Sequence, residues 1–236
     1  MPRPSRPLLA CGLATLVVAL SGCTGSTGGE PVPTATHVDL SSWGPESGNG
    51  VTLLSGPGAR AEALEAMRDA GAVEMTGRFR DARGERVDIE FAGSPAAFEA
   101  TFTASGDRTH IVAAGDRAYV RPSPAIAAEA SLDPDAYACV GLDDPLVTRW
   151  GSMLDPVELV TELTVDAASL GSPADGSVDV ILGQEGTSGA LTISTTGAPL
   201  PLRLVRADDE GELDVEFAGW GEPAAAATPA PLAAGC

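Results

Sequence analysis

Residues 73–103 read VEMTGRFRDARGERVDIEFAGSPAAFEATFT, and their period of two decides the fold class. Val73, Met75, Gly77 and Phe79 alternate with Glu74, Thr76, Arg78 and Arg80. After a turn around Gly84, Val87, Ile89 and Phe91 alternate with Asp88 and Glu90; Phe98, Ala100 and Phe102 then alternate with Glu99, Thr101 and Thr103. Successive side chains of a strand point to opposite faces. The pattern therefore predicts an antiparallel meander with one apolar face and one wet face.

The same rhythm continues on both sides of a helical interruption. Short strands are expected at Thr109–Ala114 and Arg117–Arg121, and again at Ser177–Leu182, Ala190–Ser194, Pro201–Val205 and Glu212–Phe217. In the last two, Leu202 and Leu204, and Leu213, Val215 and Phe217, fall on alternate positions. Between the two sets, Ser123-Pro124 and Asp144-Pro145 open short helical stretches. Asp155-Pro156-Val157-Glu158 joins an N-cap, a proline at the first helical position and a capping-box acid, with Val157, Val160 and Leu163 on one side of the helix it starts. Before the meander, Ala63, Leu64, Met67 and Ala70 repeat at helical spacing and Gly71 stops them. About nine strands thus form one sheet, which strand twist curls, and the few helices pack into its concave side. Either a filled core or a cavity results.

The chain of 236 residues has 33 acids, and all fourteen of its basic residues are arginine. Without lysine there is no Schiff-base or pyridoxal chemistry and no phosphate-binding Walker loop. The formal charge of −19 excludes nucleic acid as a partner, because phosphate backbones demand clustered cations. Two histidines, His37 and His110, and scattered cysteines lack metal-ligand spacing, so no metal or cofactor is expected. No G-x-S-x-G elbow occurs, no pair of carboxylates stands out, and no catalytic residue is assigned. His110 reads as a structural histidine, and Asp208-Asp209-Glu210-Gly211 as a solvated hairpin turn.

The N-terminus carries an address. Arg3 and Arg6 precede an apolar run of 13 residues, Leu8 to Leu20, where a bilayer span takes roughly 20. Leu20-Ser21-Gly22-Cys23 looks like a bacterial lipobox, in which the Cys23 thiol takes a diacylglyceryl group after residues 1–22 are removed. More than one acyl chain makes such anchoring stable. The expected location is the extracytoplasmic face of the cell membrane. Losing residues 1–22 removes two arginines and no acid, leaving twelve against 33 and a charge of −21, which holds the domain off an anionic lipid surface. Residues 23–50 form the lipidated cysteine and a Gly/Ser/Thr/Pro-rich tether, 51–223 the folded domain, and 224–236 an Ala/Pro-rich tail. Cys11 leaves with the signal and Cys23 carries lipid, so Cys139 and Cys236 remain to pair as a disulfide in an oxidising compartment.

This order of lipobox, tether, helix, meander, helical insert and returning strands resembles the actinobacterial lipoproteins of the LppX/LprG type, whose fold is like that of the LolA and LolB carriers. The echoes are ALEAMRDAGAVEMTGRF (63–79), GDRAYVRP (115–122), LDPVELV (154–160) and ELDVEFAGWGEP (212–223). The resemblance implies an α+β fold, a curved antiparallel sheet forming an unclosed half-barrel capped by a few short helices. It also implies a non-enzymatic protein that holds lipid acyl chains, or a lipidated cargo, between helices and sheet. Met75, Phe79, Ile89, Phe91, Phe98, Phe102, Val157, Val160, Leu191, Ile193, Leu202, Leu204 and Phe217 would line that space. The alternative is a lipoprotein with a filled core that docks an envelope protein partner.

Overall fold

The computed structural model describes residues 48–184 and 186–222. The signal segment, Cys23, most of the tether, and the tail with Cys236 lie outside the described residues. No helix among the described residues is long and apolar enough to cross a membrane.

Eleven strands make one sheet: β1 (Val73–Asp81), β2 (Arg86–Ser94), β3 (Ala97–Ala104), β4 (Asp107–Ala114), β5 (Arg117–Arg121), β6 (Ala138–Gly141), β7 (Ala167–Leu170), β8 (Ser177–Leu182), β9 (Ser188–Ser194), β10 (Pro201–Ala207) and β11 (Gly211–Ala218). Their spatial order is β6-β5-β4-β3-β2-β1-β11-β10-β9-β8-β7, with every neighbouring pair antiparallel. Two meanders, one of six strands and one of five, therefore join where β1 pairs with β11. The strands β6 and β7, consecutive in the chain, end up as the two outer edges.

That arrangement explains the cap. In a flat sheet ten strand spacings would separate those edges by about 48 Å. The chain between them carries the helices α3 (Pro145–Thr148) and α4 (Pro156–Leu163), with a 3-10 turn at Gly151–Leu154. This segment must cross the apolar face to get from β6 to β7, and so it roofs the face it crosses. The Asp144 and Asp155 carboxylates cap the two helices, Asp155 accepting from the Val157 and Glu158 amides at 3.1 Å. The other α-helices among the described residues are α1 (Gly56–Ala70), capped by Ser55, and α2 (Pro124–Ala130), capped by Ser123. The first packs on β7, β8 and α4 through its buried Ala59, Ala63, Leu64 and Met67.

Two glycines make close approaches possible. A Cβ on Gly56 would sit 2.6 Å from the Ser169 backbone nitrogen, so α1 starts directly against the edge strand β7. One on Gly77 would lie 2.2 Å from the Asp214 carbonyl, at the seam between the two meanders, where a side chain would wedge β1 from β11.

All nine expected strands are present, and the fold class is as expected. Three local readings are corrected. Strands β6 and β7 were not anticipated. Leu202 is 40% exposed and does not share a face with Leu204, because β10 carries a bulge: Pro201 pairs with Ile193 and Arg203 with the adjacent Thr192, leaving Leu202 as the extra residue. Finally, α4 buries Leu159 and Val160, while Val157 and Leu163 are only half-buried against the core.

Candidate functional site

A cleft of about 330 Å³ opens between the roof and the seam of the sheet. Phe79 near the end of β1 and Leu213 on β11 form its floor. Trp150 and Met153 from the 3-10 turn region, with Leu159 and Leu163 from α4, form the opposite wall. Its polar rim consists of Arg149, Glu162, Arg206, Asp208 and Glu210.

The inner end is closed by an aromatic pair. The Trp150 indole lies flat on Phe102, with ring centroids 3.8 Å apart and planes 7° from parallel. The indole N–H is buried and has no hydrogen-bond partner among the described residues. Trp150 thus separates the cleft from the core behind it.

The rim is fixed by Arg206. Its Nη1 donates to the Leu163 carbonyl at 2.6 Å and to Asp166 Oδ1 at 3.3 Å, and its Nε donates to Asp208 Oδ2 at 2.7 Å. One guanidinium therefore joins the C-terminal end of α4 to the β10–β11 turn. The Asp166 side chain is only 2% exposed, and its second oxygen has no partner among the described residues. Asp208 also accepts from the Glu210 and Gly211 amides, at 2.9 and 3.2 Å. Partial burial pushes the Asp208 carboxyl up. The Arg206 hydrogen bond and charge and the two amides together outweigh that and hold it below the usual carboxylate range. The turn is a hairpin, as the sequence predicts, but Asp208 is drawn into the rim rather than solvated. Next to it, Arg60 on α1 donates to Thr164 Oγ1 at 2.8 Å and to the Thr161 carbonyl at 2.7 Å; burial, then repulsion from Arg68, lowers its pKa despite Asp166.

Of the thirteen side chains expected to line the interior, the cleft includes one, Phe79. Ten are packed into the core: Met75, Ile89, Phe91, Phe98, Phe102, Val160, Leu191, Ile193, Leu204 and Phe217. Val157 is half-buried against them, and Leu202 points to solvent. Trp150, Met153, Leu159 and Leu213 were missed, though a tryptophan next to a glycine inside a helical insert was the available signal. Elsewhere, His110 is a bridging residue. Its Nε2 meets Glu99 at 2.8 Å and its Nδ1 meets the Tyr137 hydroxyl, over whose ring Arg121 lies at 5.5 Å. Among the described residues no three metal-ligating side chains converge.

The fold is similar to those of LprF and LppX. The LprF structure, from Mycobacterium bovis, shares 15% identity with a TM-score of 0.44, covering 73% of this chain and 95% of that one. Lipoprotein LppX from Mycobacterium tuberculosis shares 15% identity with a TM-score of 0.42, covering 71% and 95%. No family model matches the chain, and no curated protein does either.

Proposed function

We propose that this chain is a lipid-anchored, non-enzymatic lipoprotein of the cell envelope that binds a hydrophobic ligand between its helices and its sheet. The observation that carries the reading is the cleft: an apolar trough of about 330 Å³ with a charged rim, built where the roof leaves the sheet seam uncovered. Its size is at the lower end of the roughly 300–1,000 Å³ of small-molecule sites, which suits one acyl chain better than several. The ligand lies against Phe79, Trp150, Met153, Leu159, Leu163 and Leu213, with its polar end at Arg149 and Arg206. Phe102, expected from the sequence to line the interior, becomes reachable when Trp150 leaves it. Cys23 carries the diacylglyceryl anchor on the extracytoplasmic face, and Cys139 pairs with Cys236.

Mass spectrometry of an organic extract of the purified chain lacking residues 1–22 tests this. Co-purifying lipid at about one per chain is expected; repeated absence of lipid defeats the reading. The filled core behind Trp150 favours a second reading, an envelope protein-docking module. A membrane crosslinking partner retained when Leu163→Trp fills the cleft would support it.

A further inference from the structure

The floor of the cleft and the aromatic pair at its inner end lie on successive rows of the sheet. Leu213, Phe79 and Val87 pair across β11, β1 and β2. One step deeper, Val215, Gly77, Ile89 and Phe102 pair across β11, β1, β2 and β3. Residues two apart on a strand share a face, so the two rows lie about 7 Å apart. The deeper row is as apolar as the floor, with Ile89 and Phe102 each 1% exposed, and Gly77 adds no side chain to it. What covers Phe102 is the Trp150 indole, parallel to it at 3.8 Å.

The indole is poorly satisfied where it lies. A buried indole N–H ordinarily finds an acceptor, and this one has none among the described residues. Closed on Phe102, Trp150 forgoes a hydrogen bond that it regains from water or from a ligand oxygen once turned outward. Its backbone is held on both sides: the amide donates to the Val147 carbonyl, and the carbonyl accepts from the Met153 amide, each at 3.1 Å. Movement therefore falls to the side chain, by a change of rotamer. Gly151, the next residue, also borders the cleft and has open space where a Cβ would stand, which leaves room for the turned indole.

We propose that Trp150 is a movable plug that sets the length of chain the cleft accepts. A short apolar chain lies on Phe79 and Leu213 and leaves the indole on Phe102. A longer one displaces the indole and runs on over Phe102 and Ile89 in its place. The inference rests on the cleft binding a hydrophobic ligand, as proposed above.

The test uses the chain lacking residues 1–22 with nitrogen-15 indoles, the Trp150 N–H signal being assigned by its loss in Trp150→Phe. The probes are octanoate and palmitate, each below its micellar concentration. Without ligand the Trp150 N–H should exchange slowly with solvent. Saturating palmitate should shift its signal and speed its exchange severalfold, whereas bound octanoate should leave the exchange unchanged. In Trp150→Ala, shown to be folded by circular dichroism, the ratio of palmitate to octanoate affinity should rise severalfold, because no indole has to be displaced. If that variant does not fold, exchange in the parent decides alone. Palmitate bound at one per chain with the Trp150 N–H still protected overturns the plug and leaves the cleft reading standing. Failure of both fatty acids to bind brings down both.

Discussion

At the residue scale the rim holds the least exposed ion pairs among the described residues, those of Arg206 with Asp166 and Asp208. Asp166 is almost wholly buried, and Arg206 is the cation that reaches it. Removing one partner of a buried pair leaves a charge without water or counter-ion, which costs about 3–5 kcal/mol. Arg206→Met should therefore lower the unfolding free energy by about 3 kcal/mol in urea titration, and Asp166→Asn in the same background should recover part of the loss. Asp208 and Asp214 make a pH prediction. Asp214 is held below the usual carboxylate range by its paired hydrogen bonds from Arg203, at 2.8 and 2.9 Å, which outweigh burial. Both carboxyls give up their proton more readily folded than unfolded. Their stabilisation is present above the ordinary value of about 4 and is lost as pH falls through the lower folded values. Stability should thus decline below about pH 4, and Asp208→Asn should flatten that decline in melts collected from pH 7 downward.

At the element scale, alternation makes most of the sheet legible in the sequence alone. Strands such as β2 and β3 bury one face and wet the other, so their sequences must alternate. Helix α4 announced itself because an N-cap, a proline and an acid occupy fixed positions. The edge strands were illegible for a physical reason: Ala138–Gly141 and Ala167–Leu170 are four residues long, too short for one large apolar residue in each, Val140 and Leu170, to show a period of two. The bulge was equally hidden, since Leu-Arg-Leu reads as regular alternation whether or not one residue is extra. It makes a sharp contrast between near neighbours. Leu202→Ser should stay within about 0.5 kcal/mol of the parent. Leu204→Ala, in the core, should cost about 2–5 kcal/mol. Chemical denaturation of the two variants separates them, and equal losses would contradict the register of β10.

At the scale of the whole molecule, the decisive feature is that consecutive strands form opposite edges of one sheet. The segment joining them has to roof the apolar face, and its two short helices and 3-10 turn, even with α1 and α2, do not roof all of it. Sequence patterning identified the apolar face but not which part of it stays uncovered. That depends on where Trp150, the 3-10 turn and the β10–β11 hairpin meet, residues far apart in the chain and brought together only by the curl. Most side chains nominated as lining are core for the same reason: facing inward does not by itself mean facing a space. The central claim is tested most directly by titrating a fluorescent fatty acid into the chain lacking residues 1–22 and into its Leu163→Trp variant, with circular dichroism to show that both are folded. The account predicts saturable binding at one site per chain, weakened at least tenfold (about 1.4 kcal/mol) by the tryptophan that fills the cleft. No saturable binding by the parent, or equal affinity in the two folded proteins, would contradict it.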